Sequence, residues 1–355
     1  MIEALARHQP ELVWNKGIAA LCDRRIPDEF PDGRNYSTVS TLAGAMPSRR
    51  LPDNLISDPT AYRGIADGEL VSVRLSWLKS FVKQVLPLVK SRFVLATADS
   101  DACVPSEVMP EAQAILNAEN VAHWYAQNYD GSMAPEKISP LPIGIDFHMQ
   151  SEGPFWGESA SPPKQQERTL KSIHGNLPPL RNRIQKVYVD FAWQQGFGLR
   201  DYRRYHPLTG TKFHESRRQV VKTMLKNDIA FCQRELLCRS EMWRKRGAYA
   251  FVLSPHGTGL DCHRTWEALA LGHIVIVPSS SLDLLYRDLP VVAVKDWSEL
   301  TAEKLAKWIS LHEESDGMSE KLKTSFWIQH MRSFIGTADS VLPRPDILMP
   351  HNAGV

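Results

Sequence analysis

Cysteine is scarce in this sequence, with five among 355 residues: Cys22, Cys103, Cys232, Cys238 and Cys262. The number is odd and the spacing scattered, so the set is neither a disulfide framework nor a zinc ligand group. It reads as reduced thiols in a cytoplasmic protein. No apolar run approaches the roughly 18–20 residues that span a bilayer, which excludes a transmembrane helix and leaves only peripheral membrane contact open. The opening MIEALARHQPELVW carries acids early and lacks a continuous apolar segment, so no signal peptide is read there. Charge of one sign is missing too. Lys and Arg number 42 against 40 Asp and Glu, a formal net charge of +2, too mild to argue for nucleic acid. No internal repeat of fixed period is found.

What is present is ordinary globular material, 43% hydrophobic and 23% charged. The length suits two domains, each with its own core. Ten tryptophans are many, and such amphipathic rings serve sugar stacking as well as cores. The clearest break is at 151–182, rich in Ser, Pro, Gly and charge. We place a first domain at 1–165, a linker at 166–182 and a second domain at 183–330. Residues 331–355 form a tail or helix returning toward the first domain.

In the first half, 71–91 sets Val73, Trp77, Phe81 and Val85 at i+4 steps, one face of a helix. RFVLATADSD (92–101) has the pattern of a buried strand ending in polar residues. Residues 114–128 mix helix and strand signals, and ISPLPIGID (138–146) is a short edge strand interrupted by prolines. The second half is more regular. Apolar runs at 186–193, 249–255, HIVIVP and PVVAV alternate with helical patterns at 214–227, 240–248, 260–272 and 298–314. That rhythm indicates a parallel sheet covered on both faces, doubly wound through right-handed crossovers. Function in such sheets sits at the carboxyl ends of the strands.

One such end is the stretch FVLSPHGTGLDCHRTWEALALGHIVIV (251–277). Gly257 and Gly259 let the backbone approach a ligand closely or take positive φ. The helix that begins near Leu260 offers free N–H groups and a dipole to an anion. Arg264, one turn in, adds a bidentate clamp for phosphate. Glu267 shares its face and suits the two hydroxyls of a ribose. Together they describe a nucleotide-diphosphate site. The plainer reading makes Asp261 a helix cap and Arg264–Glu267 a surface ion pair.

The same stretch resembles the signature of exostosin-type glycosyltransferases, P-x-G-x-G-x-D-x-x-R-x-x-E-A followed by G-x-I-x-[IV]. Pro255, Gly257, Gly259, Asp261, Arg264, Glu267, Ala268, Gly272 and Ile274 match it; His273 and Val275 stand where the family often has Cys and Pro. More weakly, the resemblance reaches from about 92 to 310. It implies a GT-B fold, two Rossmann-like doubly wound domains facing a cleft, with the donor nucleotide held mainly by the second. His256, Gly257, Thr258, Gly259, Asp261, Arg264 and Glu267 are then the donor-binding residues. It also implies inversion at the anomeric carbon without an obligatory metal or other cofactor.

Inverting transfer requires a general base for the acceptor hydroxyl. Asp101 is favoured over Asp99, since both end a strand of the first half; Asp146 is third, then His256 or His148. The rival reading of Asp99-Ser-Asp101 is the Asp-x-Asp metal motif of GT-A enzymes. Asn128, Trp124 and Tyr125 are candidates for the acceptor side. The basic cluster 199–219 reads as a solvated surface, or as steering for an anionic substrate if it faces the cleft. The expected function is transfer of a hexosyl or pentosyl unit from a nucleotide sugar to a glycan acceptor, in surface or capsular glycan synthesis. The alternatives are another transferase on this fold, such as a pyruvyl transferase, and a binding protein without chemistry.

Overall fold

The computed structural model describes residues 9–27, 55–191, 213–312 and 318–334. The first sheet has five parallel strands: β1 (Arg24–Ile26), β2 (Leu70–Arg74), β3 (Phe93–Ala98), β4 (Val121–Gln127) and β5 (Ile138–Leu141), hydrogen-bonded in that order. β2 is buried along its whole length, as expected of a strand covered on both faces. Successive side chains leave opposite faces, so on β4 Trp124 enters one core and Tyr125 the other. β5 lies at the edge, which accommodates Pro140.

The second sheet contains β6 (Ile184–Val189), β7 (Ala230–Cys232), β8 (Tyr249–Leu253), β9 (Ile274–Pro278) and β10 (Val291–Val294), all parallel, in the order β10-β9-β8-β6-β7. The chain reverses its winding between β6 and β8, which opens a crevice at their carboxyl ends. Among the described strands the first sheet has no such reversal. The loops after β4 and β5 meet the loop after β8, where Asn128 and Ile143 bond to Asp261.

The helices are α1 (Asn15–Leu21), α2 (Glu111–Asn117), α3 (Pro163–Gly175), α4 (Phe213–Lys226), α5 (Arg239–Gly247), α6 (His263–Ala270), α7 (Ala302–His312) and α8 (Thr324–Ser333), with shorter helical turns between. None of the described helices is long and apolar enough to cross a membrane, and the five cysteines are free thiols.

Three expectations change. The helix read over 71–91 begins only at Leu75, because Val73 belongs to β2; helical turns, including a π-type turn at Phe81–Val85, occupy 75–88. α6 starts at His263 with Cys262 as N-cap, later than Leu260. Most of the supposed linker is the helix α3, with Gln166, Glu167, Leu170 and Ile173 buried. Glu167 accepts from the Leu12 backbone at 2.7 Å, and Gln166 joins the Phe147 carbonyl (2.9 Å) to Arg239 (2.6 Å). Polar composition concealed a helix that uses its polar residues as buried connectors.

The return to the first half is made by residues 318–334. Val13 donates to the Leu322 carbonyl (2.8 Å), Thr324 to the Glu11 carbonyl (2.9 Å), and Trp327 and Met331 pack into the core beside α1. Residues beyond 334 lie outside the described set.

If α3 is a packed element, truncating fully buried Leu170 should destabilise the protein by about 2–5 kcal/mol. Urea denaturation of Leu170→Ala measures this, whereas an unstructured linker would lose almost nothing.

Candidate functional site

The crevice between β6 and β8 is built from arginines. β6 runs into Asp190 and Phe191, and Asp190 pairs with Arg264 of α6 at 2.9 Å and Arg246 of α5 at 3.0 Å. Arg246 also reaches Glu267 at 3.3 Å; the other Glu267 oxygen holds Arg239 at 2.6 Å, and Trp243 Nε1 donates to Glu267 at 3.1 Å. The Arg239 guanidinium is sandwiched between Trp156 and Trp243, 4.4 and 4.5 Å from the ring centroids. A fourth arginine, Arg217 of α4, donates to the His256 carbonyl at 2.8 Å. Arg217 and Arg264 both lie against the Phe191 ring, at 5.3 and 4.9 Å from its centroid.

In this network Asp190 and Glu267 pair with Arg239, Arg246 and Arg264, while Arg217 is held by the His256 carbonyl. Burial, then the neighbouring charge of Arg264, draws the Arg217 pKa down to about 10, which leaves it charged at neutral pH. Two like charges beside one aromatic ring are held at an electrostatic cost that a bound anion would reverse.

The glycine-rich loop of 254–262 supports this crevice. Neither Gly257 nor Gly259 has positive φ; each is needed for a close approach. A Cβ on Gly257 would lie 3.1 Å from Cys262 Sγ and 3.3 Å from Arg217, and one on Gly259 would lie 2.6 Å from the Asn128 side chain. The neighbours admitted are the protein's own side chains. Gly257 N–H closes a turn onto the Gly259 carbonyl at 2.9 Å. The His256 ring is anchored through Nδ1 to the Leu260 carbonyl at 2.8 Å, and Thr258 is partly exposed.

Two donor-binding expectations need correction. Glu267 has both oxygens engaged inside the arginine network and presents no free edge to a ribose. Asp261 is neither a helix cap nor a ligand group. Its fully buried carboxylate accepts from Ile143 N (2.8 Å), Cys262 N (2.9 Å), Trp266 Nε1 (2.9 Å) and Tyr286 OH (2.9 Å), so it clasps the second half to the loop after β5. Burial raises its pKa despite these donors.

Asn128 belongs to the same clasp. It is fully buried with φ 56°, accepts from Asp261 N at 2.9 Å and donates to the Ser100 carbonyl at 2.9 Å. Ser281 Oγ donates to the Tyr129 carbonyl across the same seam at 2.6 Å. Trp124 and Tyr125 are core residues instead of an acceptor platform. Trp124 donates to Thr97 Oγ1 (2.8 Å), and Tyr125 packs edge-on against His330 of α8.

The base candidates separate by environment. Asp99 is gripped by Lys16 and Arg74, both at 2.7 Å. Burial would raise its pKa, but those two charges outweigh burial and hold it below the usual carboxylate range. Asp146 is likewise depressed: burial raises it, and the charges of His148, His263 and Arg239 prevail. Its Oδ1 accepts from His148 N and Met149 N. Both are therefore poor proton acceptors. Asp101 is partly buried on the loop that Gln127 and Asn128 hold through the Ser100 carbonyl. It is close enough to Cys262 to perturb the thiol, as Arg264 and Arg217 also do. The loop thus brings Asp101 toward the Cys262 thiol from the other half.

Arg217, Asp190 and Phe191 were missed in the sequence, as were Arg239 and Arg246. Arg217 lies in the basic cluster 199–219; residues 199–212 of that cluster are outside the described set. Asp190 carried a usable signal, a lone acid directly after an apolar strand.

No family model and no curated protein matches this chain. Among solved structures, it is similar to the trehalose-6-phosphate synthase OtsA, with 13% identity, 78% of this chain and 73% of that one covered, and a TM-score of 0.36. A second is an E. coli structure described as trehalose-6-phosphate bound with UDP-2-fluoro glucose, at 11%, 79%, 75% and 0.33. A third is the UDP-GlcNAc 2-epimerase of Methanocaldococcus jannaschii, at 11%, 74%, 77% and 0.30. Likeness of this size assigns no activity.

Two outcomes check the site. Glu267→Gln should lower stability by about 3–5 kcal/mol, because it strands buried guanidiniums; unchanged stability in thermal and urea unfolding would contradict the network. Asp99 has a depressed folded pKa, so its stabilisation is present above the unfolded value near 4 and is lost as pH falls through the folded one. Asp99→Asn should be less stable at pH 7 and lose less stability than wild type on acidification below about pH 4. An identical acid profile would contradict the ion triad.

Proposed function

We propose that the protein is a glycosyltransferase that moves a sugar from a nucleotide-sugar donor to a hydroxyl of a glycan acceptor, with inversion. The observation that carries this reading is the pair Arg217 and Arg264, side by side on Phe191 at the winding reversal between β6 and β8. A nucleoside diphosphate presents two negative charges that suit this pair of guanidiniums, at the strand ends where such sheets take nucleotides. The resemblance of 255–274 to the exostosin-type signature supports the same substrate class.

In this reading the diphosphate lies against the two guanidiniums, which also stabilise it as it leaves. Asp101 takes the proton of the acceptor hydroxyl. That oxygen forms the new bond at the anomeric carbon as the bond to the phosphate oxygen breaks, and the electron pair departs with the diphosphate. No cation is called on at the phosphates, since the arginines supply the charge. Glu267 and Asp190 fix the arginines without touching the substrate.

Arg264→Ala and Arg217→Ala should each weaken binding of a nucleoside diphosphate by about 1.5–3 kcal/mol, the scale of a charge-assisted hydrogen bond, as read by calorimetry. Wild-type affinity in both variants would remove the site. Asp101→Asn should lower turnover by about 10²–10⁴-fold while donor affinity is retained. Full activity in that variant would remove Asp101 as the base. Slow donor hydrolysis without acceptor separates a transferase from a binding protein, which would hold the nucleotide unchanged.

A further inference from the structure

Outside the arginine network, Asp146, His148 and His263 meet at the seam between the halves. One donor atom from each lies within 4.8 Å of the other two. Asp146 and His148 follow β5 and His263 opens α6, so the group exists only when the halves are packed. Although adjacent in sequence, His263 and Arg264 have different partners, the Gly144 carbonyl and Asp190. His263 Nδ1–H donates to Gly144 O at 2.7 Å, because a carbonyl only accepts; in the neutral ring the lone pair is then on Nε2.

His148 supplies the telling observation. It is 7% exposed, and its Nδ1 is 2.9 Å from Asp146 Oδ1, yet that buried nitrogen makes no aligned hydrogen bond. With its proton on Nε2, the His148 ring can turn the Nδ1 lone pair and the neighbouring carboxylate oxygen toward one ion. Bonds of about 2.1 Å meeting at the tetrahedral angle set donor atoms roughly 3.4 Å apart, within the span of this group. The Asp146 carboxylate is pre-oriented by two backbone N–H groups and His263 by Gly144, the outer support that metal-binding side chains commonly have.

We propose that Asp146, His148 and His263 bind a divalent transition cation of the zinc type at the seam. Two imidazoles and one carboxylate suit zinc, whereas calcium and magnesium take oxygen donors. Three protein ligands leave a coordination position for water or substrate. The ion ties the segment after β5 to the start of α6, alongside the Asp261 clasp. The Asp-x-Asp pattern is a different place: its Asp99 is already held by Lys16 and Arg74.

Chelator-stripped full-length protein should take up one equivalent of zinc in a calorimetric titration. Cobalt in its place should give visible d–d bands with no thiolate charge-transfer band in the near ultraviolet. His148→Gln and His263→Gln, checked for native circular dichroism, should each weaken zinc binding by about 100-fold or more, and His312→Gln should not. Absence of stoichiometric binding would overturn the proposal, as would unchanged affinity in folded His148 and His263 variants. A cobalt–thiolate band would assign the ion to a cysteine and overturn it equally. The wild-type cobalt spectrum stands even if a variant fails to fold.

Discussion

Three guanidiniums share two carboxylates beside the carboxyl ends of β6 and β8, a fourth is held by the His256 carbonyl, and much of the second half is arranged around them. Asp190 and Glu267 are buried and fully used. Trp156, Trp243 and Phe191 lay aromatic faces against the cations, a contact that favours a desolvated guanidinium. The His256 carbonyl, held by its own ring through Leu260, receives Arg217. What remains beside Phe191 is the Arg217–Arg264 pair of positive charges.

The same loop meets a second demand, close contact with the other half. Gly259 is a glycine because Asn128 occupies the space of a side chain, and Asn128 in turn holds the loop that carries Asp101. The loop 254–262 and the loop that carries Asp101 are therefore positioned by one amide. Asp261, with its four donors, keeps that register by joining Ile143 to Trp266 and Tyr286.

The architecture was legible because buried parallel strands announce themselves as continuous apolar runs and helices by their period. β7 escaped because three residues, Ala230–Cys232, give no period at all. In the site, Arg264 was visible from its place one turn into a helix after a glycine loop. Its partners were not, since i,i+3 spacing shows which residues share a face and says nothing of what packs on that face. Glu267 was read as a ribose ligand for that reason, while its true neighbours, Arg239 and Arg246, come from α5. Arg217 lay in a basic run whose composition is that of a solvated surface. Trp124 and Tyr125 suggested a sugar platform by residue type, but a central strand with both faces covered buries them. The glycines were read as points where a ligand comes close or φ turns positive; neither has positive φ, and the neighbours packed on them are side chains of Asn128, Cys262 and Arg217.

The central claim is that a diphosphate occupies the space between Arg217 and Arg264 beside Phe191. A crystal structure of the protein with UDP tests it most directly. The account predicts phosphate oxygens at hydrogen-bond distance, about 2.7–3.2 Å, from both guanidiniums, with Asp190 still paired to Arg264. Nucleotide bound elsewhere, with both arginines left without a phosphate, would contradict it.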